Sequence, residues 1–529
     1  MIQETDMTVI YGLWDSLYPG ETAVRDRLSS WLLDNRMGQT TGLRQHFDTG
    51  GLVYCAYGDA FGHGLDGMST QIPRLASMGV RTLWLLPVLA SPGHDQGFDI
   101  SDYSLIDSRF GGNAAFARLV KACQSREIQV IFDIAINHCS EEHPWFQSAV
   151  ADKNSPWRDW FHWSDNDLRY PEAALNFQGM VNSNWTWNEQ AGQYYLHRFY
   201  PFQPDLNYAN PAFTEAMIQI LANWRRSGVD GFRMDAAAML WKRDGTICEN
   251  LPETHLVLKL FRACLDVIRP GTLLLAEANQ EPAVTMAYFG DGDECQAAYQ
   301  FPLMPRFWQA MLRADPALLV TAEFPALPPG CAWFTFLRCH DELTLDLVPP
   351  AERPALVAAY CRNPAWAFRN GQAFSGRLFE LLDRNPEKTI LAFSLLFSLP
   401  GTPIIYYGDE IAMVHNNDYY EQKTQATGFA DSRYFHRGPF DHARAAEASR
   451  NPVSPAGRVL RGLMAILELR RDNPALAAAW PALSAIGPIL VSERRAAGRR
   501  LIAWNNLSGH RVQMADRTLE PWAVAWQLA

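Results

Sequence analysis

Short apolar runs, each continuous rather than alternating in polarity, recur along the chain and are separated by helical stretches such as 68–78 and 114–124. Seven are clear and an eighth is weak, and they cover residues 52–56, 80–86, 129–134, 231–234, 272–276, 333–337, 403–407 and, for the weak one, 296–300. Continuous runs are typical of strands buried on both faces of a parallel sheet. The repeated order of strand and helix therefore predicts an α/β fold, as either a closed barrel or an open doubly wound sheet.

Glycine-rich phosphate-binding motifs help to choose between these two folds. No Gly-x-Gly-x-x-Gly follows the first run, and no Gly-x-x-x-x-Gly-Lys-Ser/Thr occurs. These motifs are the usual reason to expect a nucleotide-binding open sheet. We therefore predict a (β/α)₈ TIM barrel.

Additional segments flank and interrupt the predicted barrel. Residues 1–50 are predicted to form an N-terminal helical extension, because the apolar residues of segment 21–36 would fall on one face of a helix. The barrel is assigned to 51–473, and the segment 140–207, rich in Trp, Asn and Asp, is interpreted as a subdomain inserted after the third strand. Short Val/Ile/Leu-rich pieces in 474–529 predict a small β-rich C-terminal domain.

Charge and cysteine content exclude several classes of protein. The net charge of −11, without a basic run, argues against a nucleic-acid partner. The nine cysteines are scattered singly, which argues against a disulfide framework and a thiolate zinc site.

The N-terminus lacks the pattern of a secretory signal, and proline and glycine interrupt the most apolar stretch, 390–407, which is interpreted as a buried helix followed by a strand. We therefore predict a cytoplasmic protein with no membrane partner.

Polar residues close several of the apolar runs. In a (β/α)₈ barrel the active site is built at the C-terminal ends of the strands. Four separate strand ends carry compatible chemistry, which favours function over coincidence. The residues concerned are Asp133, Asn137 and His138 after the third run, Arg233 and Asp235 in the fourth, Glu277 after the fifth, and His340 and Asp341 after the seventh.

Asp235 and Glu277 are predicted to divide the chemistry of a retaining glycosidase. Arg233 and Asp235 lie two apart on a strand and share a face, so the cation is expected to keep Asp235 ionised as a nucleophile. Glu277 follows an apolar strand, where desolvation favours the protonated acid that serves as general acid/base. A retaining enzyme needs such a pair, with carboxyl groups about 5–5.5 Å apart. Asp341 is the third carboxylate and is expected to form hydrogen bonds with sugar hydroxyls.

Two neighbouring residues have plainer interpretations. Asp133 has two interpretations: it orients its neighbours, or it takes a direct part in the chemistry. The first is favoured at least as much as the second. Cys339 is expected to be inert, because the sequence places no activating base beside it.

The segments 133–138 and 231–235, together with Glu277 and the His340–Asp341 pair, resemble the four signature regions of the α-amylase family, glycoside hydrolase family 13. The resemblance spans nearly the whole chain from residue 51. The middle resembles trehalose synthases, in segments 183–187, 203–208, 248–255, 289–295 and 336–345. The C-terminal part resembles amylosucrases and sucrose hydrolases, in segments 431–433, 436–437 and 450–452, as does a helical segment before the barrel.

This resemblance implies a closed glucose pocket and exo-action on terminal glucosyl units. Asp95 is expected to pair with Arg433 and close the pocket around the non-reducing end. The other substrate-binding residues that it implies are Phe98, His138, Arg233 and His340. The family more often has Tyr at 98 and Asn at 339, so one hydrogen-bonding group is lost at each position. Because 61–67 does not match the metal-binding Asp-rich loop of related glucosidases, no cofactor or metal is expected to be required, although the resemblance leaves room for calcium near Asn137.

Our leading hypothesis is an α-glucoside hydrolase or transglucosylase that cleaves sucrose in the manner of an amylosucrase, through a glucosyl-Asp235 intermediate. The alternative is a trehalose synthase that interconverts maltose and trehalose. The sequence supports these two hypotheses almost equally. A third hypothesis, an inactive barrel that binds sugars, is disfavoured by the presence of Arg233, Asp235 and Glu277.

Overall fold

The computed structural model describes residues 4–37, 47–515 and 517–529. Eight parallel strands form a closed barrel in which strands adjacent in the chain pair with each other and β1 pairs with β8. The prediction of a (β/α)₈ barrel is confirmed. The strands are β1 (Leu52–Ala56), β2 (Val80–Leu85), β3 (Gln129–Ala135), β4 (Gly231–Asp235), β5 (Leu273–Ala276), β6 (Ala297–Tyr299), β7 (Ala332–Phe336) and β8 (Thr402–Tyr406).

The weak eighth run is β6, and its flanking glutamine explains why it is hard to recognise. The side chain of Gln296 accepts a hydrogen bond from Leu274 N (2.8 Å) and donates one to Thr272 O (2.7 Å). A polar residue therefore continues the pairing with β5, and the apolar part of the strand is only three residues long.

Helices cover the outside of the barrel, and local sequence signals fix where they begin. Asn210 caps Pro211–Arg226 by accepting from Ala212 N and Phe213 N, and Pro211 occupies the first turn, where no amide donor is needed. The longer helices around the barrel are Gly64–Ser77, Gly112–Gln124, Pro211–Arg226, Pro252–Ile268, Leu303–Arg313, Arg353–Tyr360, Pro386–Ser398 and Pro455–Arg471. The remaining α-helices between β5 and the C-terminal sheet are Pro282–Thr285, Ala317–Val320, Leu378–Leu381, Asn417–Thr427, His442–Arg450 and Pro474–Ala478.

Two N-terminal helices, Glu4–Leu17 and Thr22–Asp34, pack against Pro252–Ile268. The hydroxyl of Tyr18 anchors them, donating to Tyr208 O (2.7 Å) beside Thr214 Oγ1 (2.6 Å). Residues 38–46 of the predicted extension lie outside the described residues.

The segment between β3 and Pro211–Arg226 forms a subdomain next to the C-terminal end of β3. It contains helix Pro144–Ala151 and an antiparallel sheet of Trp163–Ser164, Gln193–Leu196 and Trp185–Asn188. Its end returns to β3, since Leu206 N donates to Asn137 O (2.8 Å). Shorter strands in the loops after β2 and β7 are Leu89–Ala90, Asp102–Ile106, Leu343–Thr344, Ala367–Phe368 and Ala373–Phe374.

The C-terminal part is a four-stranded antiparallel sheet of Ala482–Ile486, Ile489–Ala496, Arg499–Asn506 and Val524–Leu528, with a hairpin of Val512–Gln513 and Thr518–Leu519. It packs on Pro386–Ser398, where Trp526 Nε1 donates to Ser394 Oγ (2.8 Å) and Ser492 Oγ donates to Ser398 O (2.7 Å). Within the described ranges, no helix has both the length and the apolar character needed to cross a membrane.

Candidate active site

Arg233 lies at the centre of the barrel mouth and contacts carboxyl groups from three strands. Its Nη1 donates to Asp133 Oδ1 (3.0 Å) and to Asp235, and its Nη2 donates to Glu277. The arginine side chain is only 1% exposed. One buried guanidinium therefore brings together the ends of β3, β4 and β5.

The backbone that follows Asp235 makes a second contact with Glu277. Ala236 adopts a left-handed conformation (φ 51°), and its amide donates to Glu277 Oε2 (2.9 Å). Each oxygen of Glu277 therefore has a donor, which fixes the orientation of its carboxyl group.

Burial raises the pKa of all three carboxyl groups in spite of Arg233: that of Asp133 to about 7, that of Asp235 to about 7 and that of Glu277 to about 8. Arg233 favours the ionised form of Asp235, as expected, but burial acts against it and is the larger effect. The guanidinium is shared among three carboxylates, so desolvation outweighs its attraction for any one of them. Burial favours the protonated form of both Asp235 and Glu277, and Arg233 favours the ionised form of both.

Asp341 lies in a cationic environment at the same mouth, with its Oδ2 4.0 Å from Arg233 Nη2. Arg437 Nη2 lies 3.0 Å from Asp341 Oδ1, and Arg433 Nη1 lies 3.4 Å from the same oxygen. Burial opposes ionisation of this carboxyl, but the guanidinium groups of Arg437, Arg433 and Arg233 outweigh it and hold the pKa of Asp341 well below its ordinary value. Asp341 is therefore an anion throughout the neutral range.

Asp95 and Arg433 face each other at the closed end of the pocket. Arg433 Nη2 lies 3.4 Å from Asp95 Oδ1 and 2.7 Å from Asp431 Oδ2, while Gln203 Nε2 donates to Asp95 Oδ2 (3.1 Å) and lies 3.3 Å from His138 Nε2. The loops after β2 and β8 and the inserted subdomain therefore meet at a single carboxylate.

Gln203, Asp431 and Arg437 were not predicted as site residues. Each belongs to a segment that carries the family resemblance, and that is the only signal in the sequence that could have found them.

A cavity of about 310 Å³ opens at this mouth, within the usual size range of small-molecule sites. Its lining includes eight of the predicted site residues: Asp95, Phe98, His138, Arg233, Asp235, Glu277, Asp341 and Arg433. Its lining also includes six further polar side chains, those of Glu249, Asn279, Gln280, Glu342, Asp346 and Arg369.

His340 is the one predicted site residue that does not line the cavity. Its fully buried ring stacks on Phe98, with centroids 5.4 Å apart, and its Nε2 lies 3.0 Å from Asp341 Oδ2. Burial lowers the pKa of His340 well below its ordinary value, so the ring is neutral.

Asn137, where the resemblance leaves room for calcium, is bound to a lysine. Lys242 Nζ donates to Asn137 Oδ1 (2.6 Å) and lies 2.9 Å from Asp205 Oδ2, and both side chains of the ion pair are fully buried. The oxygens that would attract a cation at this point therefore already hold an ammonium group.

Cys339, His340 and Asp341 form the one cluster within the described ranges that could hold a metal ion. The guanidinium groups around Asp341 repel a cation there. Burial also raises the pKa of the Cys339 thiol to about 12, so it is protonated at neutral pH. These residues therefore do not fit a metal centre.

Comparison with known proteins places the chain in a family. The family model described as alpha amylase, catalytic domain, matches residues 48–321. The chain is 44% identical over 355 residues to the trehalose synthase/amylase TreS of Mycolicibacterium smegmatis, covering 66% of this chain and 60% of that protein. It is 41% identical over 361 residues to the trehalose synthase of Pimelobacter sp., covering 66% and 63%. The chain thus spans about 60% of the length of these relatives.

Solved structures of low sequence identity share the fold. The α-amylase from H. orenii has a TM-score of 0.68 at 21% identity and covers 91% of this chain and 99% of its own. The sucrose 6F-phosphate phosphorylase from Thermoanaerobacter thermosaccharolyticum has a TM-score of 0.74 at 17% identity and covers 87% and 94%. The chain belongs to the α-amylase family, glycoside hydrolase family 13.

Proposed function

We propose that the protein is a retaining enzyme that cleaves and transfers terminal α-glucosyl units. The observation that carries this proposal is the attachment of Asp235 and Glu277, at the ends of neighbouring strands, to one buried guanidinium. Such a pair supplies an ionised nucleophile and a protonated acid to the same bond.

The reaction then follows from these roles. Asp235 attacks the anomeric carbon while Glu277 gives its proton to the departing glycosidic oxygen, leaving a β-glucosyl ester on Asp235. Glu277, now a carboxylate, takes the proton of an incoming hydroxyl group as that oxygen attacks the same carbon and the ester bond breaks. The configuration is inverted twice and is therefore retained.

The closed end of the cavity supports action on a terminal unit. Asp95, Arg433 and the anionic Asp341 offer charged hydrogen-bonding groups to the hydroxyls of one glucosyl residue. These groups are buried and tied to one another, which supports a pocket that holds a terminal unit.

Interconversion of maltose and trehalose is the activity that the comparisons favour. The relatives at 44% and 41% identity are named as a trehalose synthase/amylase and a trehalose synthase. An interconversion requires the released glucose to remain in the cavity and to return as acceptor, which the polar side chains of Glu249, Asn279 and Glu342 support.

Sucrose cleavage is the second candidate. The segment that resembles amylosucrases contributes Asp431, Arg433 and Arg437, and all three belong to the charged network around Asp95 and Asp341. This network contacts the glucosyl unit, which sucrose, maltose and trehalose share, so it is compatible with each of them.

Incubation of the purified enzyme with maltose, trehalose or sucrose, followed by separation of the products over time, tests the proposal. We expect maltose to yield trehalose and trehalose to yield maltose, with some free glucose from water attack. Fructose release from sucrose without any interconversion would instead support the amylosucrase-like alternative. A folded protein that is silent on all three sugars would support the inactive-barrel hypothesis.

A further inference from the structure

Glu249 lies in the loop after β4, between two residues in a left-handed backbone conformation. Cys248 has a φ of 56° and Asn250 has a φ of 54°. Neither residue is glycine, and a cysteine is uncommon in this region of backbone space. Such conformations persist only where the surrounding structure over-determines them, and they cluster at functional sites. The backbone on both sides of Glu249 is therefore held in a conformation that it rarely adopts.

Contacts on both flanks of the carboxylate hold this strained turn in place. The side chain of Cys248 is fully buried and belongs to a small apolar cluster with Trp185 of the inserted subdomain. Asn250 N donates to Ala238 O (2.9 Å), and the Asn250 side chain accepts a hydrogen bond from the Tyr288 hydroxyl. The turn is thus fixed to the inserted subdomain on one side and to the barrel loops on the other.

A fully buried arginine of the inserted subdomain fixes one oxygen of Glu249. Arg198 Nη2 donates to Glu249 Oε1 (2.8 Å). The same guanidinium donates to Cys248 O (3.4 Å) and to Ala174 O (3.4 Å). Among the described residues, Oε2 of Glu249 has no hydrogen-bond partner, and the side chain is 18% exposed and lines the cavity. One oxygen is therefore held while the other is available to a ligand.

The place of Glu249 in the fold suits the sugar that leaves and returns. The groups proposed to hold the glucosyl unit come from the loops after β2, β7 and β8. Glu249 follows β4 instead, and the residue directly after that strand, Ala236, donates its amide to Glu277 Oε2 (2.9 Å). Because Glu277 exchanges its proton with the glycosidic oxygen, the departing sugar lies on the Glu277 side of the bond. Glu249 therefore belongs to the part of the lining that this sugar meets.

We propose that Glu249 holds the released glucose as acceptor and so favours transfer over attack by water. This inference rests on the proposed function, because it assigns a role within the interconversion. Sugar hydroxyls donate to Oε2 while Oε1 stays with Arg198, and hydrogen bonds to an ionised acceptor are roughly twice as strong as neutral ones. The strained turn and the buried arginine fix the carboxylate before the sugar arrives, so little ordering cost is added when the sugar binds.

α-Glucosyl fluoride separates the donor from the acceptor in the test, because fluoride leaves without a sugar. The whole purified protein is given this donor with increasing concentrations of glucose, and the disaccharide formed is measured. In Glu249→Ala, we expect the KM for acceptor glucose to rise on the order of tenfold or more, as for the loss of one hydrogen bond to a charged group. The KM for the fluoride should stay close to that of the wild type. On maltose, the same variant should release more free glucose relative to trehalose.

Glu253→Ala is the matched control for this substitution. Glu253 lies four positions further along the chain and pairs with Arg243 at 2.6 Å, but it is not part of the cavity lining. The KM for acceptor glucose should therefore not change in this variant. A rise equal to that in Glu249→Ala would assign the effect to general disturbance of the loop and overturn the proposal.

Glu249→Gln covers the case in which Glu249→Ala does not fold, because its amide oxygen can still accept from Arg198. The KM for acceptor glucose should rise here too, but by less, since a neutral hydrogen bond replaces a charged one. An active wild type with an unchanged acceptor KM in the folded variants overturns this inference alone. A wild type that does not cleave the fluoride overturns the proposed function and this inference with it.

Discussion

Arg433 and Asp95 lie 338 positions apart in the chain, yet Nη2 of the arginine is 3.4 Å from Oδ1 of the aspartate. Asp95 belongs to the loop after β2, and Arg433 belongs to the loop after β8. Because β1 stands between these two strands, the contact spans two strand spacings and closes the cavity over the position proposed for the glucosyl unit.

Replacing Arg433 by alanine should therefore open the closed end of the cavity. Truncating one partner of a buried charge pair costs about 2–5 kcal/mol, which corresponds to a loss of roughly 30- to 4000-fold in kcat/KM. Arg433→Lys should recover little, because an ammonium cannot span Asp95, Asp341 and Asp431 together. Kinetics on maltose checks this, with the exposed Arg450→Ala as control. Full activity in Arg433→Ala would remove the residue from the substrate site.

The barrel could be predicted from the sequence because strands buried on both faces leave continuous apolar runs. β6 was the weakest of these, since its pairing is carried partly by the Gln296 side chain. The roles of Gln203 and Arg437 could not be predicted from local pattern, because each acts on a carboxylate brought near only by the fold. The raised pKa of Asp235 depends likewise on three strands that share Arg233, which no single stretch of sequence reveals.

The activity should depend on pH through Asp235 and Glu277. Asp235 must be ionised and has a pKa of about 7, so kcat/KM should fall as the pH drops below 7. Glu277 must be protonated and has a pKa of about 8, so kcat/KM should also fall as the pH rises above 8. A pH profile on maltose checks this bell shape, and an acid limb near pH 4 would show that burial does not raise the pKa of Asp235.

The variant Glu277→Gln tests whether Glu277 causes the fall in kcat/KM at alkaline pH. An aryl α-glucoside with a good leaving group does not need its oxygen protonated, so glucosylation of this variant should proceed without an alkaline limb. The wild-type enzyme on maltose provides the reference. An unchanged alkaline limb in Glu277→Gln would assign that limb to another group.

Asp235 should carry the covalent intermediate. Asp235→Asn is expected to lower kcat by on the order of 10⁴-fold or more, as for other catalytic nucleophiles. Asp133→Asn is the matched control, since Asp133 contacts the same guanidinium but is also held by Trp84 Nε1 (3.0 Å); we expect a smaller loss there. Trapping with a 5-fluoroglucosyl fluoride followed by peptide mass mapping should label Asp235, and a label on any other carboxylate would reassign the nucleophile.

Lys242 should make the inserted subdomain independent of divalent cations. Its ammonium occupies the oxygens of Asn137 and Asp205, so a chelator is expected to leave both activity and melting temperature unchanged. Lys242→Met should destabilise the protein by about 3–5 kcal/mol, because it leaves a buried carboxylate unpaired. Denaturant unfolding measures this change, with Lys153→Met as an exposed control. Loss of activity in the chelator would show that a metal binds after all.

The N-terminal helices should contribute to stability and not to the chemistry. Tyr18→Phe removes the hydroxyl that donates to Tyr208 O and contacts Thr214 Oγ1, and none of these residues lines the cavity. Leaving buried polar groups unsatisfied costs about 1–3 kcal/mol. We therefore expect a lower free energy of unfolding with kcat unchanged, whereas Tyr11→Phe, at an exposed position of the helix that precedes Tyr18, should alter neither. A fall in kcat without loss of stability in Tyr18→Phe would contradict this prediction. It would show that the N-terminal helices influence the active site, through the contact of Tyr18 with Thr214 in helix Pro211–Arg226.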